Sequence, residues 1–531
     1  MQQELNQKEL KPSPYVRALL TDLYQLTMTA SYYTTNMGQT DASFDLFFRS
    51  CPFKGEFTVF AGLDECVHFL KTFSFTDDDI EYLKTIMTGL DPEFFDWLKS
   101  IDPTMIEFRS MQHGTICFPY EPLITVSGPL AVCQIIETTL LNLVNFSSLI
   151  ATNACRHRLL AGEEKVLMEF GLRRAQGPAG AMFASKYSIV GGFDGTSNVQ
   201  AGKDFNLKTV GTHAHSYVTA FTCLDDVNEA AITKFNKKNN VDFVQSVLAH
   251  RERLGFTHTN DGELAAFISY GITFPDGFLA LVDTYDTILS GVPNFLCVAC
   301  ALHDLGYFPL GIRLDSGDLA QLSKDARELY KKVFPDPEFH TKMRIIASND
   351  ICEEALREMN KAGHEIDVFG IGTHLVTCKA CPALGGVYKL VAIHGEPRIK
   401  LSENWAKTSI PGKKNLYRLF NDEGKAFADI ICTGDEELQL GEGLYYATHN
   451  HEDVHTINVK DHVNLLTYTN ELGGFPEIEP YTETRNKVIE QTKNFAVDCF
   501  VDGVEKYPVL LSQKAKDLMT YLAEKERARL E

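Results

Sequence analysis

From about residue 150 the chain alternates short apolar runs, each ending in glycine or a polar residue, with amphipathic helical stretches. Residues 278–282 end at Asp283. Residues 310–312 lead into Arg313-Leu314-Asp315-Ser316-Gly317-Asp318, and a helical pattern follows over 319–333. Residues 343–347 end at Ser348-Asn349-Asp350, before a helix from Cys352 that stops near Gly363. Residues 366–369 end at Gly370-Ile371-Gly372-Thr373. Such β-α repeats predict a parallel sheet covered by helices, with functional residues at the strand carboxyl ends. At least six motif-bearing strands, with no G-x-G-x-x-G dinucleotide fingerprint, favour an irregular (β/α) barrel within an α/β chain.

A chain of 531 residues exceeds one ordinary core. The residues before the repeats read as an α/β layer: a helix over 19–33 starting near Thr21 or Asp22, a strand over 44–48 and a helix over 62–70. Two short helices over 77–98 follow, broken at Gly89-Leu90-Asp91-Pro92, then a β-hairpin over 113–127 turning through Pro119 to Pro122. After Leu401 the pattern is irregular, with strands over 416–420 and 454–459 and a last helix from about Ser512. The expected domains are 1–145 (α/β), 146–400 (barrel) and 401–531, the last packing back on the first.

The formal net charge of -21 repels nucleic acid and anionic membrane. The first residues lack an apolar signal core, and the longest apolar run noted, 138–150, is broken by Asn142, Asn145, Ser147 and Ser148. Thirteen cysteines without scaffold spacing read as reduced core residues of a cytosolic protein. The pairs Cys297/Cys300 and Cys378/Cys381 are read as structural.

In so acidic a chain, clustered arginines are informative. Three motifs stand close together: E-F-G-L-R-R-A-Q-G (169–177), G-G-F-D-G-T-S-N-V-Q-A-G (191–202) and G-T-H-A-H-S (211–216). Their glycines let backbone approach a ligand, Arg173 and Arg174 suit phosphate or carboxylate, and Thr196, Ser197 and Asn198 supply small donors. Gly370, Gly372 and Thr373 suit a phosphate after a strand, against a plain β-α turn. Arg313 and Asp315 could take an acid group and a sugar hydroxyl or magnesium, against a structural ion pair. His213 and His215 form an H-x-H pattern that zinc hydrolases use, but later strand ends offer no further histidine except His374. One acid–base or nucleophilic histidine fits better.

Taken together these motifs resemble the nicotinate phosphoribosyltransferase family in its eukaryotic-length form. The resemblance runs from L-L-T-D-L-Y-Q (19–25) through F-R-S-C-P-F (48–53), A-G-L (61–63), Q-I-I-E-T-T-L-L-N-L (134–143) and A-T-N-A (151–154). It continues through the three motifs above, R-L-D-S-G-D, G-I-G-T and L-G-G-V-Y-K-L (384–390), to about Lys400. It implies a type II phosphoribosyltransferase fold, and a homodimer with active sites at the subunit interface. The implied reaction joins nicotinate and phosphoribosyl pyrophosphate to give nicotinate mononucleotide and pyrophosphate, coupled to ATP hydrolysis with Mg²⁺ or Mn²⁺. This is the entry step of NAD synthesis from nicotinic acid.

By position, Tyr24 resembles an aromatic nicotinate contact given by the partner subunit. Arg313 would bind the pyridine carboxylate and Thr212 would line that site. Thr373, Gly370 and Gly372 would hold the phosphoribosyl phosphate, Arg173 and Arg174 the pyrophosphate, and Asp315 the ribose hydroxyls. Asn349 joins the substrate-binding set, and His215 resembles the histidine that ATP phosphorylates; the metal ligands stay unassigned. His213 stands where the family usually has an apolar residue. Competing readings are a nicotinamide phosphoribosyltransferase, a metal-dependent barrel hydrolase using His213 and His215, and a non-catalytic binder.

Relatives that use nicotinamide carry Asp at the position of Ser197, where a carboxylate can accept from the amide. Ser197 is neutral and can donate, which suits the acid. Ser197→Asp is expected to raise the KM for nicotinate about tenfold or more through like-charge repulsion. Steady-state kinetics with nicotinate check this; an unchanged KM refutes it.

Overall fold

The computed structural model describes residues 14–402, 407–470, 474–503 and 506–529. The chain divides into two compact units. One takes the chain up to Arg156, Lys186–Gly192 and everything from Cys378; the other takes His157–Ser185 and Phe193–Thr377. The expected boundaries at 145 and 400 therefore fall at 156 and 378, and Lys186–Gly192 belongs to the first unit.

In the first unit, local signals set the helices. Asp22 precedes helix Leu23–Thr34. Thr76 and Asp79 form a capping box at the start of Asp77–Ile86, and Asp91 with Pro92 starts Pro92–Lys99. The amino- and carboxyl-terminal parts share one antiparallel six-stranded sheet. Its order is Glu396–Pro397, Val387–Ile393, Asp41–Phe47, Ile124–Pro129, Glu107–Ser110 and Tyr468–Thr469. The tail thus packs back on the N-terminal layer. A second six-stranded sheet is built wholly from the tail, between Lys414 and Leu511.

The expected hairpin over 113–127 does not form. Ile116–Cys117 pairs with Thr58–Val59, whereas Ile124–Pro129 joins the large sheet. The turn between them holds Tyr120 at φ 74, and Tyr120 N–H donates to Phe48 C=O at 2.8 Å. Those long-range partners carry the chain from one sheet to the other, which a local hairpin reading cannot anticipate.

The second unit holds the predicted parallel strands: β1 (Val166–Glu169), β2 (Gly195–Thr196), β3 (Leu279–Leu281), β4 (Gly311–Leu314), β5 (Arg344–Ser348) and β6 (Val368–Ile371). Their spatial order is β2-β1-β6-β5-β4-β3, and every pair is parallel. That is the cyclic order of a barrel, with β1 beside β6, but β2 and β3 do not pair. Residues 197–278 lie between them in sequence. The segment that follows β2 reaches into this seam: Thr196 N–H donates to Lys208 C=O at 3.0 Å, and Val210 N–H to Thr196 C=O at 2.9 Å.

The apolar side chains of β3 and β4 join those of helices Asp261–Thr273, Val292–Asp304 and Leu319–Val333 in one buried cluster. The stretch Thr287–Asp304 is apolar enough over 18 residues to match a membrane span, contrary to the sequence reading, but 72% of it is buried as a core helix. All thirteen cysteines are free thiols.

One buried ion pair anchors the tail sheet. Arg418 donates from Nε to Asp429 Oδ1 at 3.0 Å and from Nη2 to Oδ2 at 2.6 Å. Tyr507 OH donates to Oδ1 at 2.9 Å, and Arg418 lies 5.1 Å from the Phe495 ring centroid. Arg418→Met leaves Asp429 buried without its cation and is expected to cost about 3–5 kcal/mol. A urea midpoint unchanged from wild type contradicts this assignment.

Candidate active site

Parallel strands end on one edge, so the loops after β1 to β6 gather there. Two buried carboxylates organise them. Glu169, at the end of β1, is fully buried. Its Oε2 accepts from Ser185 Oγ at 2.8 Å and Thr196 Oγ1 at 2.5 Å, and its Oε1 accepts from Gly171 N–H. Thr196 Oγ1 in turn accepts from Asn198 N–H at 2.9 Å, and Asn198 caps helix Val199–Phe205. This shapes the loop that presents Arg173 and Arg174, whose side chains are exposed, and the turn that presents half-buried Ser197.

Asp283, just after β3, is the second. Its Oδ2 accepts from Asp315 N–H at 3.0 Å and Ser316 Oγ at 2.6 Å. Asp283 therefore ties its own loop to the one after β4. Asp315 Oδ1 also accepts from Ser348 Oγ at the end of β5.

Five residues singled out from sequence meet here. Arg313 Nη1 donates to Thr212 Oγ1 at 2.9 Å and His213 C=O at 3.3 Å, and Nη2 lies 3.6 Å from Asp315 Oδ1. His215 Nδ1 bonds Thr284 Oγ1 at 3.1 Å. Its Nε2 lies 3.9 Å from Asp283 Oδ1 and 3.8 Å from Asp315 Oδ2. With 43% of its side chain exposed, His215 is open to a reactant.

Burial is the main force lowering the Arg313 pKa, opposed by Asp315 and Asp283, while Arg173 adds a repulsive charge. An anion received between Arg173 and Arg313 would relieve that repulsion.

Other sequence candidates follow strand ends on the same edge. Asn349 and Asp350 have positive φ, 84 and 48, and are exposed after β5. Gly372 and Thr373 follow β6 and begin a single helical turn, Thr373–Val376. Close approach explains two glycines. A Cβ on Gly171 would meet Val376 Cγ1 at 2.3 Å, and one on Gly370 would meet Phe170 Cδ2 at 2.4 Å. The loops after β1 and β6 are thus packed together, bringing the arginine loop and the Thr373 loop side by side. Tyr24 is exposed on the first unit.

Sequence reading left Glu169, Asp283, Thr284, Ser316 and Ser348 without roles. Asp283 was visible as the polar end of a strand, and Glu169 opened a motif; what they bind depends on strand neighbours far away in sequence.

Family models match the nicotinate phosphoribosyltransferase N-terminal domain over residues 19–145, the family model over 296–432 and the C-terminal domain over 413–519. The chain is 50% identical to nicotinate phosphoribosyltransferase of Dictyostelium discoideum over 82% of its length and 74% of that protein's. It is 45% identical to nicotinate phosphoribosyltransferase 1 of Arabidopsis thaliana, covering 96% of this chain and 94% of that one.

This chain belongs to the nicotinate phosphoribosyltransferase family.

The crystal structure of human nicotinic acid phosphoribosyltransferase superposes with a TM-score of 0.83 at 36% identity, covering 94% of this chain and 99% of that one. The nicotinate-nucleotide pyrophosphorylase of Pyrococcus furiosus shares the fold, with a TM-score of 0.59 at 21% identity over 93% of this chain and all of that one.

Behind the His215 loop, the chain makes a π-turn at Thr287–Gly291, an irregularity common near functional sites. It is held by fully buried Glu263, whose Oε2 accepts from Ser290 Oγ at 2.6 Å and Asn294 Nδ2 at 3.0 Å. Burial foremost, with repulsion from Asp283 and Asp286, lifts the Glu263 carboxyl to about 7, although the bonds from Ser290 and Asn294 favour ionisation. The folded pKa lies above the unfolded one, so folding disfavours ionised Glu263. Its favourable contribution is complete below the unfolded value near 4.5 and is lost as pH rises to about 7. At about 1.36 kcal/mol per pKa unit, this amounts to roughly 3 kcal/mol. Glu263→Gln is expected to gain on wild type by that order between pH ~4.5 and ~7. Parallel pH dependences of urea stability in the two proteins would argue against it.

Proposed function

We propose that the edge formed by β1 to β6 catalyses transfer of the phosphoribosyl group from phosphoribosyl pyrophosphate to nicotinate, coupled to ATP hydrolysis. The activity is that of the family, and it feeds NAD synthesis from nicotinate. The observation that carries the site assignment is the convergence of Arg313, Thr212, Asp315, Asp283 and Thr284 around half-exposed His215.

Each group has a task. Arg313, steadied by Thr212, receives the pyridine carboxylate, and Ser197 offers a neutral wall. Asp315 accepts from ribose hydroxyls. Thr373, with the backbone at Gly370 and Gly372, holds the ribosyl phosphate, and Asn349 lies on the same edge to contact substrate. Arg173 and Arg174 take the pyrophosphate. As the glycosidic bond to pyrophosphate breaks, positive charge grows on the ribose and negative charge on the leaving group. The arginines stabilise the second, and the carboxylates of Asp283 and Asp315 suit the first. His215, oriented through Nδ1 by Thr284, presents Nε2 for phosphorylation by ATP; the modified ring would add negative charge to the site.

Mg²⁺ or Mn²⁺ fits this donor set. Among the described residues no group of three or more His, Cys, Asp or Glu could hold a metal alone. Magnesium bound through one or two carboxylates and substrate phosphates needs no such cage. Asp283 Oδ1, buried and without a hydrogen-bond partner among the described residues, is an available oxygen, with Asp315 beside it. When bound, the cation neutralises pyrophosphate charge. A zinc hydrolase using both histidines is disfavoured, because His213 Nε2 already accepts from Leu281 N–H at 3.3 Å.

We further propose a cytosolic homodimer, with Tyr24 of one subunit serving the site of the other, and neither nucleic acid nor membrane as a partner. Pyrophosphate release is expected with nicotinate, phosphoribosyl pyrophosphate and Mg²⁺, enhanced by ATP, and weak with nicotinamide. His215→Ala should lose the enhancement by ATP and lower kcat by about 10²–10⁴. Release with nicotinamide alone would move the activity to that substrate, and ATP stimulation surviving in His215→Ala would remove the phosphohistidine role.

A further inference from the structure

His213 lies two residues from His215 yet has a different environment. It is buried, and its ring centroid is 4.9 Å from Tyr270, 5.3 Å from Tyr217 and 6.1 Å from Phe267. It also stands in the open seam of the parallel sheet. Val282 N–H, just beyond β3, donates to Arg313 C=O on β4 at 3.2 Å. Backbone donors alternate along a strand, so Leu281 N–H points the other way, into the seam where β2 would pair if the barrel closed. The seam offers it the His213 ring: Leu281 N–H donates to Nε2 at 3.3 Å.

The same residue reaches Arg313 through its main chain, since His213 C=O accepts from Arg313 Nη1 at 3.3 Å, next to the Thr212 contact. Leu281 and Arg313 are register partners on adjacent strands. His213 therefore joins three elements: the seam segment that carries it, β3 through the ring and the Arg313 guanidinium through the carbonyl. An apolar side chain could fill the aromatic pocket but could not accept from Leu281.

We infer that His213 is a positioning residue, a neutral imidazole that completes the barrel ladder at Leu281 and thereby holds Thr212 and its own carbonyl where Arg313 must be placed to receive the acid group of the substrate. The role requires Nε2 unprotonated, with the ring proton on Nδ1. Burial foremost depresses the His213 pKa to about 4, so the acceptor form persists throughout the neutral range. It also means that His213 and His215 divide two roles: one is sealed and structural, the other open to a reactant. The inference rests on the proposed nicotinate activity, because Arg313 is its link to substrate.

The test compares His213→Leu with His213→Gln, whose side-chain amide can place an acceptor near the Nε2 position. His213→Leu is expected to raise the KM for nicotinate about tenfold or more, leaving kcat and the KM for phosphoribosyl pyrophosphate within about twofold; His213→Gln should restore most of the loss. An unchanged nicotinate KM in His213→Leu, or an equal rise in both KM values in both variants, overturns the inference. If wild type shows no activity with nicotinate, the proposed function fails by itself.

The seam contact can be read separately by NMR of ¹⁵N-histidine-labelled wild type, which also decides the matter should His213→Leu fail to fold. An unprotonated Nε2 and protonated Nδ1 at one buried histidine, unchanged from pH 5 to 8, supports the inference. The opposite tautomer, or titration within that range, overturns it.

Discussion

Buried carboxylates at the carboxyl edge of the parallel sheet must find donors, and the active-site geometry follows from how they do so. Glu169 and Asp283 each place a carboxyl group out of water and collect donors from neighbouring loops: Gly171, Ser185 and Thr196 for the first, Asp315 N–H and Ser316 for the second. An unpaired carboxylate in such a place is costly, so the loops that satisfy it are held in a narrow range of positions. The groups left facing outward are the ones suited to an anionic substrate.

The same constraint explains why the incomplete barrel is stable. β2 and β3 do not meet, and the long segment between them leaves strand donors without a strand partner. Thr196 is served by the backbone of Lys208 and Val210, and Leu281 by an imidazole. The seam is thus closed by the residues that lead into the His215 motif. Substrate recognition and sheet completion share a few residues, which explains how two histidines in one tripeptide can differ so sharply in exposure.

The β-α rhythm was legible because apolar periodicity and terminal glycines are local: helix Leu319–Val333 has the expected bounds, and strands β3 to β6 lie within a few residues of theirs. The hairpin expected over 113–127 does not form because Tyr120 bonds Phe48, and no local pattern announces that partner. Arg313, Thr212, Asp315 and His215 could be named from motifs; Thr284 and Ser348 could not, since an isolated hydroxyl has no signature until a strand places it beside a partner.

By itself the sequence determined the α/β class, the family and the chemical character of the strand ends, because these depend on residue type and on spacing along the chain. Only the tertiary structure decided which strand neighbours which, where the sheet stays open and which of two adjacent histidines is sealed. Those outcomes depend on hydrogen-bond partners dozens to hundreds of residues apart, brought together when the polar ends of the strands are buried.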